Sequence, residues 1–298
     1  MNDRDFFPGF DHHKVDVTGA TINLRTGGQG PALLLLHGYP ETHVMWHTIA
    51  ARLAEDFTLV IPDLRGYGDS SKPEGDDGHV TYSKREMAFD QVEVMMKLGH
   101  ERFSVAAHDR GARVAHRMAL DHEARIEKLS LLDIIPTRDV YLDVDKLVAT
   151  AYFHWFFLIQ KRDLPERLIG GDPDYYFGKI FDAGSGGRPQ EVFGTEALAE
   201  YVRCHRTAES IHATCEDYRA GASIDLKHDE ADLERKISCP VQVLWGGNGL
   251  VGLRYKVLKH WQRRAKFVTG AAIDGAGHFL VEEKPDATYE ALTAFLKA

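Results

Sequence analysis

Ala107-His108-Asp109-Arg110-Gly111 lies between a short apolar run, Phe103 to Ala107, and a stretch in which Ala112, Ala115 and Ala119 recur on one side of a helix. The pattern is small-x-nucleophile-x-small at a strand-to-helix junction. A turn that sharp requires small residues on both flanks, and it lifts the central side chain clear of the sheet. In most enzymes with this elbow the central residue is serine, whereas here it is Asp109. An aspartate can displace a leaving group from a saturated carbon and form an ester that water later cleaves. A serine in the same step would leave an inert ether. Asp is also a common N-cap, and on its own Asp109 has the bland alternative of capping the following helix.

The chain on either side of the elbow separates these readings. Before it, β-like stretches run from Lys14 to Val17 and from Thr21 to Arg25, followed by a continuous apolar run, Ala32 to Leu36, that ends at His37-Gly38. A run with no polar alternation suits a strand buried on both faces. An amphipathic segment (His43 to Leu53), a β-rich run (Phe57 to Pro62) and a helical pattern (Lys84 to Leu98) come next. After the elbow, Lys128 to Asp133 is again β-like, as are Val241 to Trp245 and Phe267 to Ile273, with helices expected over Arg254 to Arg264 and Asp286 to Leu296. Strand alternating with helix predicts an α/β fold, a mostly parallel sheet with helices on both faces. From about Thr137 to Lys227 the pattern turns to aromatic-rich helical segments broken by glycine and proline, which predicts an inserted helical cap. The expected organisation is a core over 1–136, a cap over 137–227 and a second part of the core over 228–298.

This order supplies partners for Asp109. His278 lies in Gly275-Ala276-Gly277-His278-Phe279, just after the last predicted strand, and ligands of open α/β sheets bind beyond the carboxyl ends of strands. It is the expected general base. The residue that orients it can follow either of two strands. The second of these ends in Gly246-Gly247-Asn248-Gly249, without a carboxylate, so Asp133 is the expected third member. Water attacking an ester of Asp109 creates an oxyanion, which needs backbone N–H donors. His37-Gly38-Tyr39-Pro40 offers the N–H of Tyr39, and the residue after the nucleophile, Arg110, offers the second.

Composition narrows the partners. The 298 residues carry a formal charge of −9, which gives no general attraction to nucleic acid or anionic lipid. No apolar run approaches the ~18 residues that span a bilayer, and the start, MNDRDFFPGFDHHK, lacks a basic segment followed by an apolar one. A soluble cytoplasmic protein acting on a small molecule is expected, with a symmetric homodimer as the default oligomer. Cys204, Cys215 and Cys239 are odd in number and lack CxxC spacing, so neither a disulfide framework nor a zinc site is suggested. No metal or organic cofactor is required by the chemistry above.

Several stretches together, LLLLHGYP, DLRGYGDSS, HDRGARVAHRMALDH, LLDIIPT, His154-Trp155, the run Cys215 to Ala220 and Gly277-His278-Phe279, resemble the fluoroacetate (haloacetate) dehalogenases of the α/β-hydrolase superfamily. The resemblance covers essentially the whole chain. It implies the α/β-hydrolase fold and hydrolysis of short 2-haloacids to the hydroxy acid and halide, glycolate in the case of a haloacetate. It further implies that Arg110 and Arg113 hold the substrate carboxylate and that His154, Trp155 and Tyr218 receive the halide. Charge chemistry agrees, since two guanidiniums three residues apart on a helix offset repulsion between an anionic substrate and Asp109. Each of the three halide candidates can donate a hydrogen bond. The bland alternatives are that Arg113 is a solvated helix charge like Arg117 and Arg125, and that the cap aromatics only pack. An epoxide hydrolase shares the aspartate elbow and would use cap tyrosines such as Tyr152 and Tyr218. A haloalkane dehalogenase, or a binding protein that has lost catalysis, remain further alternatives.

Overall fold

The computed structural model describes residues 6–298; the first five residues, part of the N-terminal stretch read above, lie outside the described residues. The strands are β1 (Asp11–Val17), β2 (Ala20–Gly27), β3 (Ala32–Leu36), β4 (Thr58–Pro62), β5 (Phe103–His108), β6 (Ile126–Leu132), β7 (Ile237–Gly246) and β8 (Ala265–Ile273). Among the described residues they form one sheet in the order β1-β2-β4-β3-β5-β6-β7-β8. The pairings from β4 through β8 are parallel, and β1 and β2 add an antiparallel edge. The continuous apolar reading of β3 and β5 is explained by their place at the centre of the sheet, where every residue of both is buried.

Helices α1 (His47–Leu53), α2 (Lys84–Lys97) and α3 (Asp109–Asp121) cover the sheet in the first part of the chain. Helix α3 is buried from Asp109 to Leu120, and Gly111 lets its first turn press against β3. A Cβ at Gly111 would lie 2.4 Å from the carbonyl oxygen of His37. Between β6 and β7 the chain forms α4 (Thr137–Leu142), α5 (Lys146–Ala151), α6 (Phe153–Phe157), α7 (Leu164–Gly171), α8 (Pro173–Gly184), α9 (Pro189–Cys204), α10 (Ala208–Gly221) and α11 (Ile224–Ala231). Their apolar faces merge with the sheet core, with Trp155, Phe177, Phe181, Tyr201 and Tyr218 all essentially inaccessible. The chain then returns through α12 (Leu250–Arg254), α13 (Val257–Gln262), α14 (Leu280–Glu283) and α15 (Pro285–Lys297).

One expected element is corrected. The helix read over Arg254 to Arg264 is two short helices, because Tyr255 takes an extended conformation (φ −116°, ψ 149°) and turns its ring inward, 7% exposed. Periodicity alone cannot register one extended residue. No helix among the described residues is long and apolar enough to cross a membrane.

Candidate active site

The centre of the sheet delivers three loops to one point. Asp109 opens α3 directly after β5 and adopts φ +39°, and Asp133, directly after β6, adopts φ +52°. The left-handed region is uncommon for residues with a Cβ and is held only where surrounding structure demands it. Both carboxylates therefore occupy strained bends beyond strand ends. The N-cap position of α3 is taken by His108, without a side-chain capping bond, so Asp109 does not serve as a cap.

The Tyr39 N–H donates to Asp109 Oδ2 at 3.2 Å. Gly38 permits this approach, since a Cβ there would come within 2.8 Å of the Asp109 Cβ. His37 braces the same loop from below. Its Nδ1 donates to the Gly38 carbonyl at 2.8 Å and its Nε2 accepts from the Leu64 N–H at 3.0 Å, an arrangement that needs a neutral ring. Burial holds His37 down to about 4, consistent with that neutrality. The Arg110 N–H belongs to the first turn of α3, where amides have no partner within the helix.

His278 Nδ1 lies 2.6 Å from Asp133 Oδ2, and the other oxygen of Asp133 accepts from the Gly246 N–H at 3.0 Å. Burial disfavours the imidazolium, but the Asp133 hydrogen bond and charge, then Asp109, outweigh it and raise His278 to about 9. Asp109 is the mirror case. Burial opposes its charge, while His278, Arg113 and Arg110 hold its carboxyl below the ordinary value. The two shifts reinforce one another, each group's charge favouring the other's. Glu283 clamps the histidine loop by accepting from the N–H groups of Gly277 (2.8 Å) and Phe279 (2.9 Å). The Gly246 to Gly249 segment contributes backbone rather than a carboxylate, through Gly246 to Asp133 and Asn248 N–H to the Ala276 carbonyl.

On the cap side, Arg113 is buried rather than solvated. Its Nη1 donates to the Ile135 carbonyl (3.1 Å) and Thr137 Oγ1 (3.0 Å), its guanidinium lies 4.5 Å from the Trp155 ring centre, and its Nε is 4.0 Å from Asp109 Oδ1 without a hydrogen-bond partner. Arg117, read as another surface charge, is also buried, paired with Asp121 and Asp232. Arg110 differs from expectation in its commitments. Its Nε and Nη2 bind the Asp217 carboxylate at 2.7 and 2.9 Å, and Nη2 also binds the Asp217 carbonyl at 2.8 Å. These bonds leave Nη1 uncommitted. Asp217 further accepts from Tyr67 at 2.6 Å and from Lys84, so one cap carboxylate serves three core donors.

His154, Trp155 and Tyr218 converge edge to face, with ring centres 5.7 Å apart for His154 and Tyr218 and 6.1 Å for Trp155 and Tyr218. Arg110 lies 4.2 Å above the Tyr218 ring. The Tyr218 hydroxyl is buried without a hydrogen-bond partner. Burial holds His154 down to about 3, leaving a neutral ring with one N–H. A cavity of about 440 Å³ is lined by Asp109, His278, Tyr39, Tyr152, His154 and Trp155, and Tyr218, Arg110 and Arg113 adjoin it through their ring and cation contacts with Trp155, His154 and Asp109. Sequence reasoning missed Asp217, Glu41, Glu282 and Glu283. Asp217 adjoins Tyr218 and Glu41 follows His-Gly-Tyr-Pro, but no local pattern signals a partner 107 residues away.

A mostly parallel sheet of this order, with Asp109 at a sharp strand-to-helix bend and a histidine after the last strand, is the arrangement of an α/β hydrolase. The chain matches the α/β-hydrolase-fold family over residues 31–285. It is 47% identical to a fluoroacetate dehalogenase from Burkholderia sp., over 97% of this chain and 95% of that protein. It is 35% identical to a soluble epoxide hydrolase from Corynebacterium sp. (strain C12), over 92% and 93%. A crystal structure of an α/β hydrolase from Nostoc sp. PCC 7120 superposes with a TM-score of 0.95 at 57% identity, covering 98% of this chain and 99% of that one. The chain belongs to the α/β-hydrolase superfamily and, within it, to the dehalogenase family, and it is a hydrolase.

Proposed function

We propose that this hydrolase cleaves the carbon–halogen bond of short 2-haloacids such as fluoroacetate or chloroacetate through an ester on Asp109. The observation that carries the reading is the buried Arg113 Nε, unpartnered and 4.0 Å from Asp109 Oδ1. A buried donor without an acceptor is costly, and a substrate carboxylate would satisfy it. Nη1 of Arg110 is the second donor available to that carboxylate.

With the carboxylate so seated, an Asp109 oxygen attacks the halogenated carbon as the carbon–halogen bond breaks. The halide departs with the bonding electrons toward the N–H groups of His154 and Trp155 and the Tyr218 hydroxyl. Fluoride concentrates charge as it leaves, so donors with no competing partner matter most for it. Esterification cancels the charge of Asp109, one of the groups that raise His278, and so promotes release of the imidazole proton to solvent, the one proton the overall hydrolysis sets free. Neutral His278, oriented by Asp133, then takes a proton from water, and the hydroxide attacks Cγ of Asp109. The N–H groups of Tyr39 and Arg110 receive the oxyanion. Its collapse expels the hydroxy acid, whose oxygen takes the proton back from His278, and the Asp109 carboxyl left behind passes its own proton to His278 to restore the resting pair. A haloacetate yields glycolate and halide.

Multiple turnovers in heavy-oxygen water should place label in the Asp109 carboxylate, read by mass spectrometry of its peptide. Halide release without label in that peptide refutes the ester. Asp109→Ala should lower turnover by at least ~10⁴-fold, the scale seen when a nucleophile is removed.

A second reading, epoxide hydrolysis, draws on the unpartnered Tyr218 hydroxyl, on Tyr152 in the cavity wall and on the Corynebacterium relative. A neutral epoxide carries no carboxylate to pair with the Arg113 and Arg110 guanidiniums. Turnover of styrene oxide against chloroacetate separates the two.

A further inference from the structure

Behind His278 a line of buried polar groups takes no part in the chemistry above. His108 Nε2 is 2.9 Å from the backbone carbonyl of His278, and His108 Nδ1 is 2.9 Å from Glu41 Oε2. Glu41 and Glu282 lie side by side, each shifting the other's proton affinity, and Tyr201, on cap helix α9, donates to Glu282 Oε1 at 2.6 Å. Glu41, His108 and Tyr201 are fully inaccessible, and Glu282 nearly so.

Counting donors fixes where the protons are. A carbonyl only accepts, so His108 Nε2 must carry hydrogen. A neutral ring then presents a bare Nδ1, and the proton in its bond to Glu41 must belong to the carboxyl. With that proton directed at His108, a hydrogen bond between the two adjacent carboxyls requires a proton on Glu282. The oxygens left for it are Glu41 Oε1 and Glu282 Oε2, which no other donor reaches. The alternative, a cationic His108 against an anionic Glu41, places a second positive ring with its centre 4.7 Å from that of His278. Burial, then the charge on His278, opposes this and holds His108 down to about 4. Burial also raises Glu41 to about 7 and Glu282 well above the ordinary carboxyl value.

We propose that Tyr201, Glu282, Glu41 and His108 form an uncharged, one-directional hydrogen-bond chain that runs from the cap to the backbone carbonyl of His278 and positions the base. Each member donates to the next, and the last donates to the carbonyl. Since the chain ends on backbone, it cannot pass a proton to the imidazole. It holds the loop from one side while Glu283 holds the flanking amides from the other. It also ties the seating of α9 to the aim of the base. The kinetic consequence rests on His278 acting as the base proposed above, whereas the protonation pattern does not.

Infrared spectra of the free enzyme at neutral pH test the pattern directly. Two buried protonated carboxyls should give carbonyl bands distinct from carboxylate bands, with one band lost in Glu41→Gln and the other in Glu282→Gln. Absence of both bands overturns the chain whatever the substrate. Kinetically, glutamine reproduces a neutral acid, with one donor and one acceptor in line, so both glutamine variants should hydrolyse the ester within about threefold of the parent. Glu41→Ala should slow ester hydrolysis by roughly tenfold or more while ester formation changes little, so that the ester accumulates. Should that variant fail to fold, Tyr201→Phe breaks the far end more gently, with a smaller effect on the same step. Glutamine variants as impaired as alanine would show that a carboxylate charge is needed and overturn the proposal. A lowered Tm without a shift between the two steps would reduce the chain to a purely structural role and likewise overturn it.

Discussion

Asp109, Asp133 and the Tyr39 amide are placed by backbone, whereas Arg110, Arg113, Trp155 and Tyr218 are placed by side chains drawn from distant parts of the chain. In the first group the two carboxylates occupy left-handed bends at adjacent strand ends, and neighbouring amides hold them there: Tyr39 N–H on Asp109, Gly246 N–H on Asp133. In the second, Asp217 on α10 fixes Arg110 from 107 positions away, and the two guanidiniums lie over the Tyr218 and Trp155 rings. Backbone-placed groups are set once the sheet forms. Side-chain-placed groups depend on how the cap is seated, and this is where specificity can vary without disturbing the triad.

The sharpest way to break the backbone-placed half is Asp133→Asn. The amide keeps the shape but removes the charge that favours His278 protonation and the tautomer that points Nε2 at water. Turnover should fall by ~10²–10⁴-fold, mostly in ester hydrolysis, which single-turnover kinetics can check. The same variant has a stability signature with a defined sign. His278 is raised to about 9 in the folded protein. Its contribution is therefore fully present below the unfolded imidazole value of ~6.5 and lost as pH rises through about 9. The Tm gap between parent and variant should be widest near pH 6 and close above pH 9. A gap that widens with alkali would show that His278 is neutral in the resting site.

The cap-seated half breaks at Asp217→Asn. Arg110 and Lys84 would then share a neutral amide in a site with almost no solvent, and loss of one partner from such a cluster costs ~3–5 kcal/mol. Burial disfavours the Asp217 charge, yet Arg110 and Lys84 hold its carboxyl far below the usual range, so the anion is the form the cluster needs. Chemical denaturation should show the loss. In the surviving folded fraction KM for haloacid should rise more than kcat falls, because Arg110 is no longer steadied beside the substrate carboxylate.

This contrast also explains what could be read from sequence. The elbow, the His-Gly-Tyr-Pro loop and Gly277-His278 carry short-range signals, because glycine and small residues are needed wherever backbone approaches backbone. Gly38 and Gly111 are direct cases, each with less than 3 Å available for a Cβ. The sheet was legible for a similar reason, since β3 and β5 are buried on both faces and so read as unbroken apolar runs. Arg113 and Arg117 were the opposite. Two arginines on a helix with several polar residues suggest a solvated face, yet both are buried among the cap, β6 and the acidic residues of α3 and the α11 terminus. Likewise nothing near Arg110 in the chain indicates that Asp217 occupies most of its donors.

The smallest change separates packing from function within the cap. Tyr218→Phe removes one hydroxyl that is buried and unpartnered in the free protein. An unsatisfied buried hydroxyl costs ~1–3 kcal/mol, so its removal should leave stability unchanged or slightly improved. If that hydroxyl were only a packing atom, turnover would follow stability and stay level. If it receives halide, turnover should drop by roughly tenfold with KM little changed, because the hydrogen bond forms as charge develops on the departing atom. Fluoroacetate should suffer more than chloroacetate, since fluoride gathers the denser charge and depends more on each donor. Equal loss for both halides would place Tyr218 in carboxylate or carbon packing instead, and would leave His154 and Trp155 as the halide donors.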